Sequence, residues 1–377
     1  MIDPTRNRAL LGAAHLLALA QAFRRHRNPR RRASGRHEAA FYERVWREAA
    51  AQLGGTCRTL GGGIAEIEVE GACTRVMENT CALDDPVTLA ILADKPLTAR
   101  LLAERGLAVA RHAPFRLDDM GPARRFLDAR GGECVVKPAR GTGGGRGVAT
   151  GIETRWQLAR AAAAAAVYGD DLMIEEQVEG ENYRLLYLDG RLIDAFTRRP
   201  PSVVGDGRAT VARLIRALND ERLRHGSGLS QVQLTLDLDL RRTLAKQGLS
   251  LGSVPAAGRV ARLKTVVNEN SGADNETATG RLCESIVADG ADAVRALGVR
   301  LAGIDIITRD PSVPLAESGG VILEVNAPPG FYYHYHKQDA VFPVAVAVLE
   351  RLVRDRTRGR EPASPRPESS AERALHP

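Results

Sequence analysis

Apolar positions between Glu38 and Arg354 recur with two periods, about 3.6 residues in some stretches and 2 in others, so the chain reads as a mixed series of helices and strands. FYERVWREAAAQLG reads as a helix ended by Gly54 and Gly55, and IAEIEVEG as a strand whose Ile64, Ile67 and Val69 are only partly in phase. DKPLTARLLAERG reads as a helix with Pro96 near its first turn and Gly106 as its C-cap. ECVVKP is a short buried strand that runs into a glycine-rich loop, and TRWQLARAAAAAAVYG is a further helix. LMIEEQVEG, NYRLLYLDG and RLIDAFTRR follow as strands linked by tight turns. RRPPSVVGDGRATVARLIRALNDE is a punctuated loop leading into a helix, and VVNENSGADNETATG is a polar loop. A helix ending near Leu297 then precedes the strands LAGIDIIT and GVILEVNAPPG, and the last helix ends near Arg354. The Pro/Ser-rich, charged tail over 358–377 predicts disorder. No internal repeat is found, and the order is α+β, not a regular βαβ alternation, which disfavours a doubly wound dinucleotide domain.

Composition changes this picture at the front end. The chain has 377 residues, room for two or three domains, and a formal net charge of +7. Residues 1–47 hold eleven arginines against Asp3, Glu38 and Glu43, so the rest of the chain is close to neutral. Ala9 to Phe23 is apolar but too short to span a bilayer, and the basic block after it argues against export. It reads as a short helix entering a solvated arginine tail over 1–38. The sharper alternative is weak docking of residues 1–37 on an anionic membrane or RNA, and no DNA partner is expected. Five scattered cysteines without a CxxC pair argue for reduced thiols in a cytoplasmic setting and against a disulfide frame or zinc site. Only five of the 53 basic side chains are lysines, so each marks a place where a compact ammonium is worth examining.

VVKPARGTGGGRGV places Lys137 before its glycines. A P-loop needs GxxxxGK followed by Ser or Thr, and the chain contains no Gly-Lys pair. A dinucleotide fingerprint fits at Gly141 and Gly143 but meets Arg146 at its third glycine. A third arrangement fits better: Lys137 projects from a strand into a cleft, and Gly143, Gly144 and Gly145 form a flexible lid whose N–H groups fold over phosphates. Far downstream, Glu324 and Asn326 of ILEVN leave one face of a strand. Asp305 of GIDII sits in an otherwise apolar strand, where a carboxylate is costly unless paired or metal-bound. These hard oxygen ligands suit Mg2+.

Lys95 before a helix, VVKP with its glycine lid, EEQVEGENYRLL, and IDII with LEVN together resemble the ATP-grasp superfamily. YRLLYLDGRLIDAFTRRPPSVVGDGRATVARLI and TLAKQGLSLGSVPAAGRVARLK resemble more closely the ATP-grasp modules of cyanophycin synthetase and of bifunctional glutathione synthetases. The resemblance covers roughly Asp94 to Leu349. It implies two α+β lobes gripping ATP over 94–357, with a lid lobe at about 96–172, an inserted segment at about 199–262 and a small preceding domain at 39–93. It implies that Glu175, Glu176 and Val178 lie by the adenine near the inter-lobe hinge. Asn182 stands where the family has a ribose-holding acid. Lys95 and Lys137 are implied at the α- and β-phosphates and Lys264 near the γ-phosphate. Asp305, Glu324 and Asn326 are implied to hold one or two Mg2+ ions, with Mn2+ as a substitute. Arg184 is implied to grip the acylphosphate or a substrate carboxylate, with Arg198 and Arg199 as weaker candidates. Asn268 is kept in the loop that approaches the substrates, but the family's Ser-Thr-Gly-Gly run reads NSGA here, which leaves the substrates unnamed.

The activity so implied is ATP-dependent carboxylate–amine ligation through an acylphosphate, on an amino acid or short peptide. The second halves of cyanophycin synthetase and of the bifunctional enzyme find no counterpart in this chain, so one kind of bond is expected. His334 and His336, in PPGFYYHYH, are either contacts for the amine or part of a packed capping loop. A kinase-like ATP-grasp phosphotransferase and an RNA- or lipid-binding protein using the arginine-rich front end are the other readings. An oligomer is compatible with all three.

Overall fold

The computed structural model describes residues 29–141, 145–224, 233–267, 269–270 and 274–358. The helix expected over Ala9–Phe23, the residues Gly143, Gly144 and Asn268, and the tail over 359–377 lie outside them. Helix α1 (Pro29–Gln52) starts well before its apolar pattern and buries Phe41, Tyr42, Val45, Trp46, Ala49 and Ala50 along one stripe. The stripe covers an antiparallel sheet of β1 (Thr56–Gly61), β2 (Ile64–Val69) and β3 (Ala72–Met77). Burial alternates in β2 and β3, with Ala65, Ile67 and Val69 facing inward alongside Ala72, Thr74 and Val76. The same core takes in Phe331, Val344, Val348 and Leu352, so residues 39–93 share their interior with the end of the chain and do not close a core of their own.

Helices α2 (Pro86–Ala93) and α3 (Lys95–Ala103) each begin on an aspartate cap, Asp85 and Asp94. Leu92 and Leu102 pack into the core of the large sheet described below, so the lid lobe begins later than residue 96. It consists of β4 (His112–Arg116), α4 (Gly121–Arg130), β5 (Cys134–Pro138), β6 (Ala149–Ile152), α5 (Arg155–Ala165) and β7 (Asp171–Glu176). Its strands run antiparallel in the order β4-β7-β5-β6. The alanine run of α5, buried at Ala161, Ala162, Ala163 and Ala165, lets that helix lie close to the sheet, and Thr154 with Gln157 closes a capping box at its start.

The large sheet is built from β8 (Glu181–Leu188) and β9 (Arg191–Arg198), then, after an insertion, from later strands. The insertion contains β10 (Ser202–Val204), α6 (Val211–Arg224), α7 (Leu238–Lys246) and β11 (Val260–Arg262), with a small core of its own. After it come β12 (Asn275–Thr277), α8 (Glu284–Leu297), β13 (Leu301–Thr308), α9 (Leu315–Ser318), β14 (Val321–Asn326), α10 (Tyr332–Tyr335) and α11 (Val344–Arg358). The order is β12-β9-β8-β13-β14, antiparallel throughout. One face, with Tyr183, Leu185, Tyr187, Ala195, Ile304 and Ile306, packs on α3 and α8. The other carries Arg198, Asn182, Arg184, Asp305 and Glu324 across four adjacent strands, because the register sets Asn182 opposite Arg198 and Asp305 opposite both Arg184 and Glu324. Among the described residues no helix is long and apolar enough to cross a membrane.

Candidate active site

A cleft of about 890 Å³ opens between the lid sheet and the polar face of the large sheet. Lys95, Lys137, Gly145, Glu175, Glu176, Val178, Asn182, Asp305 and Glu324 all contribute to its wall. Lys137 on β5 and Glu175 on β7 are diagonal cross-strand neighbours, since Lys137 pairs with Met173 and Val135 with Glu175. Both are buried, and Lys137 Nζ lies 2.8 Å from Glu175 Oε1. Lys95, at the first position of α3, reaches Glu324 at 3.3 Å. Its backbone N–H donates to Ala139 O at 3.1 Å, which ties the start of the helix to the strand end that feeds the lid loop. In that loop Gly147 adopts φ +78° against Tyr168 and Pro138, where a Cβ would come within 2.8 Å of the tyrosine ring.

Glu176 leaves the opposite face of β7 from Glu175. Its carboxylate accepts from the Arg111 backbone N–H at 2.9 Å and meets the Arg111 and Arg130 side chains at 3.0 and 3.2 Å. Burial opposes its ionisation, but these partners outweigh burial and hold its carboxyl below the usual range. It therefore ties β7 to Arg111 and to Arg130 at the end of α4, and its carboxylate is taken up by these partners.

Asp305 accepts a two-pronged grip from Arg184, at 2.5 and 2.8 Å, and Arg198 Nη1 stands 3.6 Å away. Asn326 Nδ2 donates to the second Asp305 oxygen at 3.2 Å. Burial pushes the Asp305 carboxyl up, yet the two guanidiniums and the amide pull it below its ordinary value, so it is ionised. Arg184 is thus paired with Asp305 and is not among the residues that line the cleft, a correction to its expected place on substrate. Gly303 makes that grip possible, because a Cβ there would lie 2.8 Å from Arg184 Nη1. Of the two guanidiniums beside Asp305, Arg198 is the one that lines the cleft. It is buried, donates to Val267 O at 3.2 Å and lies over the Tyr333 ring at 5.5 Å, and its Nε has no partner among the described residues.

Lys264 departs furthest from expectation. Arg262, at the end of β11, and Thr265, in the segment after it, line the cleft, whereas Lys264 between them does not. It is fully buried between Asp237 at 2.6 Å and Glu269 at 2.7 Å, with Thr235 at 3.0 Å. Burial works against its charge, but the two carboxylates raise its pKa. Lys264 locks the insertion to the loop that follows, and it is not among the residues that line the cleft. His334 is also away from the cleft: it is buried, its Nδ1 is 2.6 Å from Asp194, and Lys337 pairs with the other Asp194 oxygen. His336 stacks on Tyr332 at 4.0 Å, so both histidines belong to a packed capping segment.

Asp305 and Glu324 face each other across β13 and β14 with Asn326 alongside, a set of hard oxygen donors whose like charges require a cation between or beside them. Here Lys95, Arg184 and Arg198 supply it. The donor set fits Mg2+ or Mn2+, although among the described residues no three His, Cys, Asp or Glu side chains cluster for a metal. A feature without sequence signal is Asp239 on α7, which accepts from Thr150 Oγ1 at 2.8 Å and from Thr265 Oγ1 at 2.7 Å and so ties the insertion to the lid strand.

No family model matches the chain. Over 274 residues, 71% of its length, it is 35% identical to cyanophycin synthetase of Nostoc sp. strain PCC 7120, and it spans 30% of that protein. It is 29% identical over 263 residues, 68% of its length, to the bifunctional glutathione biosynthesis protein GshAB of Mannheimia succiniciproducens, spanning 34% of it. Among solved structures, the bifunctional glutathione synthetase from Pasteurella multocida superposes with a TM-score of 0.52 at 21% identity, over 82% of this chain and 43% of that one.

Proposed function

Because the chain belongs to the ATP-grasp superfamily, we propose that it is an ATP- and Mg2+-dependent ligase joining a carboxylate to an amine, with an amino acid or short peptide as substrate. The observation that carries this reading is the cleft in which Lys95, Lys137 and Arg198 each stand beside a carboxylate. Side chains held in that way are oriented before an anion arrives, and phosphate oxygens then replace their internal partners. Lys95 and Lys137 bind the polyphosphate, while Val178 and Asn182 border the nucleoside. Asp305, Glu324 and Asn326 would hold Mg2+ or Mn2+, which when bound neutralises charge on the transferred phosphoryl group.

A carboxylate oxygen of the acid attacks the γ-phosphorus and ADP leaves, giving an acylphosphate. The neutral amine adds to its carbonyl carbon, phosphate departs with the C–O bond electrons, and the proton lost by the nitrogen goes to the departing phosphate. Arg198 orients the carboxylate and its phosphorylated product. The residues around Gly145 exclude water from the acylphosphate. A cytosolic location suits the five free cysteines.

Purified protein with Mg-ATP and a panel of amino acids and short peptides should release ADP and phosphate only with a competent acid–amine pair, and an amide should appear by mass spectrometry. A phosphorylated acid without amide would replace the ligase by a phosphotransferase. Full turnover in both Asp305→Ala and Glu324→Ala would remove the metal assignment.

A further inference from the structure

The insertion carries a feature that the ligation chemistry does not use. Its two short strands pair antiparallel, with Ser202 opposite Arg262, Val203 opposite Ala261 and Val204 opposite Val260. Val203 and Ala261 turn inward and are buried against α6 and α7, so that face of the ribbon is satisfied. The other face presents two rows. Ser202 and Arg262 form the first and line the cleft. Val204 and Val260 form the second, and they are 59% and 61% exposed, with Val260 also on the cleft wall.

An exposed valine alone is ordinary. Two valines directly opposite each other, on the outward face of a ribbon that continues the wall of a binding cleft, form an apolar step at its mouth. Val254, in the loop that closes the ribbon, is 48% exposed and adds to the apolar surface of this segment. The first row is polar: the Arg262 guanidinium has no ion pair among the described residues, while its backbone N–H and carbonyl are both held by Gln247. Its side chain is therefore the part left to meet a ligand.

We propose that this face is a distal subsite for the acid substrate, and that the substrate is an extended, peptide-like chain with an aliphatic side chain above Val204 and Val260. The inference rests on the ligase reading of the cleft. Along each strand the two rows are two residues apart, about 6.6 Å, which is also the distance between side chains i and i+2 of an extended peptide. A chain leaving the cleft along the ribbon puts one residue over Ser202 and Arg262, where the guanidinium hydrogen-bonds a main-chain carbonyl or a polar side chain. Its neighbour two positions further from the reacting end then lies over the valines.

The probe is tetraglycine and the four tetrapeptides in which one glycine is replaced by leucine. Binding of each to the protein with Mg-ADP is measured by calorimetry, and ADP release with Mg-ATP and an amine panel is measured in parallel. Leucine at one position is expected to tighten binding roughly tenfold over tetraglycine, as one buried aliphatic group allows. The ratio falls to near one in Val204→Ser/Val260→Ser, a change confined to exposed side chains. Equal binding at every position, or a preference kept in the double variant, overturns the subsite. Leucine-selective binding without ADP release from any acid–amine pair leaves the subsite standing and removes the ligase reading. ADP release with no leucine preference does the reverse.

Discussion

Replacing Lys137 separates two roles that the same ammonium plays. In the folded protein it neutralises Glu175, and both side chains are buried, 8% and 4% exposed. Lys137→Met therefore leaves a carboxylate without its partner in a site with little water, a loss of about 3–5 kcal/mol for broken buried pairs. Lys137→Met/Glu175→Gln removes the stranded charge and should recover most of that stability, since a neutral pair of similar volume is tolerated. The nucleotide role is not repaired by the second substitution. A charge-assisted hydrogen bond to phosphate is worth roughly 1.5–3 kcal/mol, or a rise of roughly 10- to 150-fold in the Kd for Mg-ATP. Urea unfolding gives the first quantity and calorimetry with a non-hydrolysable ATP analogue gives the second. If nucleotide affinity returned together with stability in the double variant, Lys137 would be a structural partner of Glu175 and no ligand of phosphate.

Lys264→Met should cost a similar ~3–5 kcal/mol, because it strands Glu269 and Asp237, while leaving the affinity for a non-hydrolysable ATP analogue within about twofold once the protein is folded; a hundredfold loss of affinity would restore Lys264 to the phosphate site. Arg184→Met frees both oxygens of Asp305 and should lower stability while tightening Mn2+ binding, followed by electron paramagnetic resonance, whereas Arg198→Met should mainly lower kcat/KM for the acid, by roughly 10- to 100-fold. His334 is kept neutral by burial, which outweighs the pull of Asp194, and Arg184 and Lys337 also oppose its protonation. Its pKa is depressed in the folded state, so the stability it contributes is complete above the unfolded value of about 6.5 and is lost as pH falls below it. Between pH 6.5 and 5, the slope of unfolding free energy against pH should shrink by up to about 1.4 kcal/mol per unit in His334→Gln; an unchanged slope would mean that His334 does not titrate on unfolding.

Strands whose apolar content exceeds any other signal, such as ECVVKP, NYRLLYL and VILEVN, are plain in the sequence, as is the convergence of Lys137 with Asp305 and Glu324. Strands β1 and β3 are not, because their outward positions carry Arg58 and Arg75, which meet Glu66 across the sheet and read locally as a polar loop. The three-residue strands β10, β11 and β12 are too short to show a period. Lys264 is misread for a different reason: its position along the chain suits a phosphate, but its direction is set by Asp237 and Glu269, whose approach is tertiary. The same holds for Arg184, whose commitment to Asp305 depends on the space left by Gly303 on a strand more than a hundred residues away.

The grip of α1 on the end of the chain bears on how the protein is made. Trp46 donates to Glu78 O at 2.7 Å, Asn79 donates to the carbonyls of Pro328 and Pro329, and the Tyr42 hydroxyl accepts from the Phe331 N–H. The partners of Phe41, Tyr42 and Trp46 on the far side thus leave the ribosome nearly three hundred residues after α1 does, a delay of roughly 15–60 s at ordinary rates of synthesis. For that interval the apolar stripe of α1 lacks much of its cover, and a holding chaperone has an obvious place to bind. Truncating the chain before Phe331 would make that exposure permanent.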